Sequence, residues 1–202
     1  MGGEAGSELE SKPALLPQGA SGAVLAAKLR GYAALAEPLP PQQAAVVLDD
    51  YYRRFAEAAD ASEVTLVTFS GPTALAAWDP TLGRERSAVA APETARLLVA
   101  GQRPPHRGSP VSLSEGIRFG IGIGAGPVFI GTIGPDASVR DAVGDTVNTA
   151  VMLAAAAAAG EVLITDAAWR ALGNGFGAEN AGSLHLNGKR VAVETYRLYL
   201  PV

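Results

Sequence analysis

No cysteine occurs among the 202 residues, and that absence removes disulfide frameworks, thiolate metal sites and cysteine nucleophiles at once. It also suits a reducing compartment, and the cytoplasm is the expected location. Long apolar runs are missing as well. The longest, Val151 to Ala159, is short and alanine-rich, well under the ~20 residues that span a bilayer. Positive charge is scarce: 16 Lys and Arg against 20 Asp and Glu leave a formal charge of −4. A nucleic-acid binder needs concentrated cations to displace phosphate counterions, so no nucleic-acid partner is expected. Histidine is limited to His106, in a Pro- and Arg-rich stretch, and His185. Without cysteine or a helical histidine pair, neither reads as a zinc ligand. P-loop and nucleophile-elbow patterns are absent too.

What remains is apolar. Hydrophobic residues make up 48% and charged residues 18%, which allows one sizeable core and excludes a disordered chain. Residues 1–20 place Glu4, Glu8 and Glu10 ahead of Pro13 and Pro17. They lack the basic start and apolar stretch of a signal peptide and read as a flexible leader or linker. Residues 21–200 read as a single domain.

Ser21 to Leu29 reads as a buried strand ended by Arg30-Gly31. Between Pro41 and Ala61, residues Ala44, Leu48, Tyr51, Phe55 and Ala58 recur at helical spacing, with Pro40 and Pro41 at the start, where a missing N–H costs little. Glu63–Ser70 and Thr73–Trp78 flank Gly71-Pro72 as a hairpin. A helix over Arg86–Ala100 is expected to kink or start late at Pro92, and the Pro-, Gly- and Ser-rich stretch 101–114 to be a loop. Ile117–Ile123 and Pro127–Ile133 read as strands joined through Gly124-Ala125-Gly126. Asp145 is the expected N-cap of a helix from Thr146 to Ala159, with Gly160 as its C′ residue. A strand over Glu161–Thr165, a short helix over Ala167–Leu172 and a closing strand over Val191–Leu200 complete an α+β chain with a mixed sheet. Gly120, Gly122 and Ala125 nominally fit G-x-G-x-x-G/A. A β-like run follows rather than a helix N-terminus, so no dinucleotide site is read there. The Ala154–Ala159 run is a strong helix former suited to a place where bulk is unwelcome.

In order and spacing, Ile117–Gly134 (IRFGIGIGAGPVFIGTIG), Arg140–Asn148 (RDAVGDTVN) and Gly160–Thr165 (GEVLIT) resemble the class III adenylate/guanylate cyclase family. Upstream, Leu25–Tyr32 (LAAKLRGY) is similar to that family's first strand and metal loop, and Phe69–Trp78 (FSGPTALAAW) to its second-to-third strand hairpin. Asn187–Leu198 (NGKRVAVETYRL) resembles its final strand. The resemblance runs from about Ser21 to Leu200, and the GDTVN segment is its most specific part. It implies a ferredoxin-like βαββαβ core with an extra hairpin, working as a head-to-tail dimer with composite sites. In such a dimer one subunit supplies a pair of aspartates that hold two Mg²⁺ ions. The other supplies a Lys and an Asp that read the purine, then an Asn and an Arg for ribose and triphosphate. One metal acidifies the 3′-hydroxyl, the other neutralises triphosphate charge, and the arginine stabilises charge in flight.

Carried over position by position, the metal aspartates are Lys28 and Pro72, the purine-reading lysine is Thr68, and the arginine is Met152. Asp141 and Asn148 stand where the family's purine-reading aspartate and its asparagine stand. Mg²⁺ is a hard, oxygen-seeking cation; Pro72 offers it no side-chain oxygen and Lys28 repels it. In other phosphoryl-transfer enzymes an arginine of this kind is worth about 10³–10⁵ in rate. The expectation is therefore a catalytically degenerate cyclase homology domain, a dimerising signalling or regulatory module that requires no metal cofactor. It binds either no ligand or a purine nucleotide without turnover, through Asp141, Asn148 and Lys28. Its expected partner is a second copy, or another cyclase-like subunit. The alternative function is the metal-deficient half of a heterodimer that converts ATP to cyclic AMP. Each of the three residues also has a plainer reading: Asp141 as a strand-end aspartate in solvent or paired with Arg140, Asn148 as a brace for the first helical turn, Lys28 as a solvated lysine. Met152 reads as packing.

Overall fold

The computed structural model describes residues 21–79, 81, 84–100, 118–134 and 138–200; the expected leader 1–20 and the loop 101–114 lie outside them. The chain runs β1 (Gly22–Leu29), α1 (Tyr32–Ala36), α2 (Pro41–Asp60), β2 (Leu66–Ser70), β3 (Thr73–Trp78) and α3 (Arg84–Ala100). It continues through β4 (Phe119–Gly126), β5 (Phe129–Ile133), β6 (Val139–Val143), α4 (Asp145–Ala156), β7 (Val162–Thr165), α5 (Asp166–Leu172), β8 (Gly177–Leu184) and β9 (Val193–Tyr199). The main sheet has seven strands in the order β2-β3-β1-β4-β7-β9-β8, and β5-β6 form a separate antiparallel pair. The β4–β7 pair is parallel and the other pairs of the sheet are antiparallel. β1, α2, β2, β3, α3 and β4 make a ferredoxin-like βαββαβ core, and β5-β6 is the extra hairpin, as the resemblance implied.

Strand alternation sorts β1 onto two layers. Ala23, Leu25, Ala27 and Leu29 join the larger core with Tyr51 and Phe55 of α2, Ala91, Ala95 and Leu98 of α3, and Trp78, Phe119 and Ile121. Val24 and Ala26 face the other way, into a cluster with Val147, Ala150 and Ala154 of α4. Polar groups inside the larger core are paired: the Tyr51 hydroxyl donates to the Ala27 carbonyl at 2.6 Å and the Trp78 indole to the Ser62 carbonyl at 2.9 Å.

α4 sits unusually close to the sheet. A Cβ on Gly122 would meet the Ala150 carbonyl oxygen at 2.2 Å and the Ala154 nitrogen at 2.4 Å. One on Gly120 would meet the Ala157 carbonyl oxygen at 2.7 Å, and one on Gly124 the Thr146 carbonyl oxygen at 3.0 Å. The glycines that mimic a dinucleotide motif are thus a floor that lets helix backbone lie against strand backbone. The alanine run completes the fit from the helix side, with Ala150 and Ala154 fully buried.

Several boundaries differ from the sequence reading. Gly144, not Asp145, precedes the first helical residue; its φ of 149° needs a residue without a Cβ. Asp145 opens α4 and makes no capping bond. The helix stops at Ala156 because Ala157 turns to an extended ψ of 139°. Gly124–Gly126 belong to β4, the join being Pro127-Val128, and β4 does not pair with β5. Pro92 lies inside α3. α1 and β8, which the sequence reading did not anticipate, are present.

The close approach makes a sharp prediction. Gly122→Val would force two backbone segments apart, so its cost should reach or exceed the top of the ~1–3 kcal/mol typical of overpacking. Gly175→Ala, where a Cβ meets nothing within 4 Å, should stay within about 0.5 kcal/mol of the parent. Urea unfolding midpoints compare the two; equal midpoints would contradict the packing.

Candidate functional site

β1 ends at the first candidate residue. Lys28 pairs across the ladder with Thr73 of β3 and Gly120 of β4, and paired residues share a face. Lys28 is therefore on the α4 side, half-buried, with Thr73 on one flank and Gly120, under the Arg30 guanidinium, on the other. It makes no ion pair with any described residue. Pro72 sits in the adjacent β2–β3 turn. That turn is pinned by protein: the Leu29 amide donates to the Pro72 carbonyl at 2.8 Å, and the Tyr52 hydroxyl donates to the Gly71 carbonyl at 2.8 Å. Tyr52 also stacks on Phe69 of β2 with ring centroids 4.3 Å apart. The two positions the resemblance assigns to metal ligands thus present an ammonium and a closed turn. Among the described residues no group of three or more His, Asp or Glu could hold a metal ion. The residues here do not fit Mg²⁺.

The other candidates lie elsewhere. Asp141 is half-buried on β6, paired with Gly131 of β5, and its Oδ1 accepts from the Ala142 amide at 2.8 Å. β6 lies against β2, the strand that carries Thr68, so the two purine-reading positions fall on neighbouring elements. Asn148 is exposed in the opening turn of α4. Met152, one turn further, packs against the cluster of Leu153, Ala157, Leu163 and Leu186.

No hydrogen bond or ion pair joins any two of Lys28, Asp141 and Asn148 among the described residues. The geometry of α4 accounts for the separation of Lys28 from Asn148. Gly120, the ladder partner of Lys28, is level with Ala157 at the C-terminal end of the helix, whereas Asn148 is near its N-terminal end, level with Gly124. At the α-helical rise those levels are roughly 13 Å apart along the axis.

One residue ties the end of β1 to the C-terminal end of α4. Arg30, two positions after Lys28 on the same face, donates to the carbonyls of Ala154, Ala155 and Ala157. These are among the acceptors a helix end leaves without partners, and a cation is favoured there by the helix dipole. The sequence reading attached no role to Arg30. It also missed a second charged feature. The Lys189 ammonium meets the Asp145 carboxylate at 2.5 Å across a 44-residue separation. The pair borders a cavity of about 470 Å³ whose apolar wall includes Val128, Phe129, Val143 and Val193. No local pattern could have found a pair so distant in sequence.

The fold and these positions can be set beside known proteins. A family model described as the adenylate and guanylate cyclase catalytic domain matches residues 20–199. The chain belongs to that family. A search of the curated proteins gives no match. Among solved structures, the domain is similar to the adenylyl cyclase CyaB from P. aeruginosa, at 21% identity, 90% of this chain, 95% of that chain and a TM-score of 0.76. It is similar to the guanylate cyclase domain of RhGC from Catenaria anguillulae in complex with GTP, at 20% identity, 90% and 97% coverage and a TM-score of 0.79. It also resembles a non-canonical dimeric guanylyl cyclase domain of the RhoGC fusion protein from Blastocladiella emersonii, at 20% identity, 88% and 95% coverage and a TM-score of 0.73. At such identities these likenesses establish the cyclase fold. Among the described residues no helix is long and apolar enough to cross a membrane.

The Arg30 clamp is testable on its own. Arg30→Met keeps the apolar stem and leaves helix-end carbonyls without their donor, so the cyclase domain should lose about 1–3 kcal/mol. An unchanged thermal or urea midpoint would show the clamp to be idle.

Proposed function

We propose that this domain is a catalytically degenerate cyclase homology domain, a dimerising regulatory module that binds a purine nucleotide without converting it. The observation that carries the reading is the separation along α4. Lys28 and Asn148 lie at opposite ends of one helix, so a single chain does not gather them. A head-to-tail second copy would set Lys28 of one protomer toward Asp141 and Asn148 of the other. The RhoGC domain, described as a non-canonical dimer, supports dimerisation without fixing the head-to-tail arrangement. Loss of turnover is supported by the residues at the metal positions. Each metal ion in phosphoryl transfer contributes several kcal/mol of charge stabilisation, and about 1.4 kcal/mol is a factor of ten in rate. Lys28 and the pinned turn at Pro72 supply none of it, and Met152 is committed to packing. The location consistent with this role is the cytoplasm.

A cyclase assay on ATP and GTP with Mg²⁺ and with Mn²⁺ is expected to give no cyclic nucleotide above background. Sedimentation should report a dimer, and calorimetry should detect ATP or GTP binding that persists in EDTA and weakens in Lys28→Ala. Turnover unaffected by Lys28→Ala, or no nucleotide binding at millimolar concentration, would overturn the proposal.

A second reading draws on the retained Asp141 and Asn148: the metal-deficient half of a heterodimer that makes cyclic AMP from ATP. Thr68 and Met152 weigh against it, because neither carries the positive charge of the lysine and arginine that the resemblance puts there. Mixing with a cyclase subunit that keeps its metal aspartates but lacks the nucleotide-reading side chains decides it: cyclic AMP would support this reading, and none would reject it.

A further inference from the structure

The end of β1 carries a consequence for the form in which a nucleotide is taken. A Mg²⁺ site is usually built on carboxylates, and neither Lys28 nor Pro72 supplies one. The Pro72 carbonyl accepts from the Leu29 amide and the Gly71 carbonyl from the Tyr52 hydroxyl. No carboxylate among the described residues pairs with Lys28. What the face offers instead are donors. The Lys28 ammonium carries three protons, and the Thr73 hydroxyl beside it makes no hydrogen bond to a described residue. The flank over Gly120 is filled by the Arg30 guanidinium, so a second cation lies beside Lys28. Arg30, the next cation on this face, is drawn off to the helix-end carbonyls. Its charge is answered by α4, so Lys28 is left as the cation free to meet a ligand.

We propose that the end of β1 is a polyphosphate cradle selective for the metal-free anion, in which Lys28 stands as a built-in cation and Mg²⁺ is an antagonist rather than a cofactor. This deepens the reading under Proposed function and rests on it. A nucleoside triphosphate without metal carries close to twice the charge of its Mg²⁺ complex, and its attraction to a fixed ammonium scales with that charge. Mg²⁺ on the ligand also repels Lys28 directly. The relation between metal and nucleotide is thereby inverted relative to a site built on aspartates. A module of this kind responds to the ratio of free to Mg²⁺-complexed nucleotide.

The test is calorimetry on the full chain with ATP, GTP and inorganic tripolyphosphate, in EDTA and in saturating Mg²⁺ at matched ionic strength. Binding in EDTA should exceed binding of the Mg²⁺ complex by about tenfold or more, and should fall with added NaCl as screening shortens the reach of the ammonium. Lys28→Met should weaken the EDTA binding and flatten the response to Mg²⁺. Lys28→Arg, which keeps the charge, should retain both. Lys28→Asp, which reverses the charge, should weaken the EDTA binding further than Lys28→Met does. Circular dichroism of each variant checks that the fold is kept. Equal or tighter binding of the Mg²⁺ complex, with dependence on Lys28 intact, overturns this inference and leaves the nucleotide-binding proposal standing. No binding in either condition overturns both.

Discussion

The contact on which the rest of the structure depends is the one between α4 and β4. Helix and strand ordinarily keep their backbones apart by a layer of side chains about as thick as a leucine. Here the strand contributes glycine at 120, 122 and 124 and the helix contributes Ala150 and Ala154, so backbone meets backbone. The closeness places β1 under the same helix and turns the Lys28 face toward it. It also brings the α4 C-terminus within reach of Arg30, whose guanidinium would otherwise end in solvent. A single larger residue on that strand would displace the helix, the clamp and the candidate residues on both.

The same contact separates the candidate site into halves. α4 is a rigid spacer, with Asn148 at the end level with Gly124 and Lys28 at the end level with Ala157. Asp141 belongs to a hairpin outside the main sheet and lies near β2 rather than the end of β1. The fold therefore presents two unlike surfaces: a cationic one at the β1 end with Lys28 and Arg30, and an edge made by β6 and the opening of α4 that carries Asp141 and Asn148. Lys28 and Pro72, which depart from the pattern the resemblance implies, lie at the β1 end, whereas Asp141 and Asn148, which match it, lie on the other surface.

How much of this was readable in the chain depends on the physical source of each feature. The buried strand β1, the helix with Tyr51 and Phe55 inward, and the hairpin around Gly71-Pro72 announce themselves through apolar periodicity and turn chemistry. β8 does not. Its residues GAENAGSL have low strand preference and no apolar alternation. What holds it is pairing to β9 and a polar network in which Arg197 bonds Glu161 of the β7 side and Glu179 of β8. Tyr199 adds a bond to Glu179. Cross-strand polar contacts leave no periodic trace in a single strand. The N-cap misassignment has a related cause. Asp145 has the right chemistry for a cap, yet Gly144 alone tolerates φ 149°, and the aspartate is engaged by Lys189 from a distant loop. Substitution at the metal positions was legible because it is a matter of residue identity. The pinning of the turn carbonyls by Leu29 and Tyr52, and the diversion of Arg30, are matters of position and needed the fold.

Those positional facts change what the substitutions mean. Had Lys28 replaced an aspartate in an otherwise open loop, the turn carbonyls could still gather a cation with water completing its shell. Both carbonyls already accept a protein hydrogen bond, which fixes the direction in which each presents its remaining lone pair. The turn is stable in its closed form because the Tyr52–Phe69 stack holds the hydroxyl over Gly71. The β1 end is thus no damaged metal site awaiting repair. Restoring an aspartate at residue 28 alone would return one ligand to a turn that still presents proline and carbonyls already hydrogen-bonded. The closed turn and a lysine that has no ion pair among the described residues agree with each other.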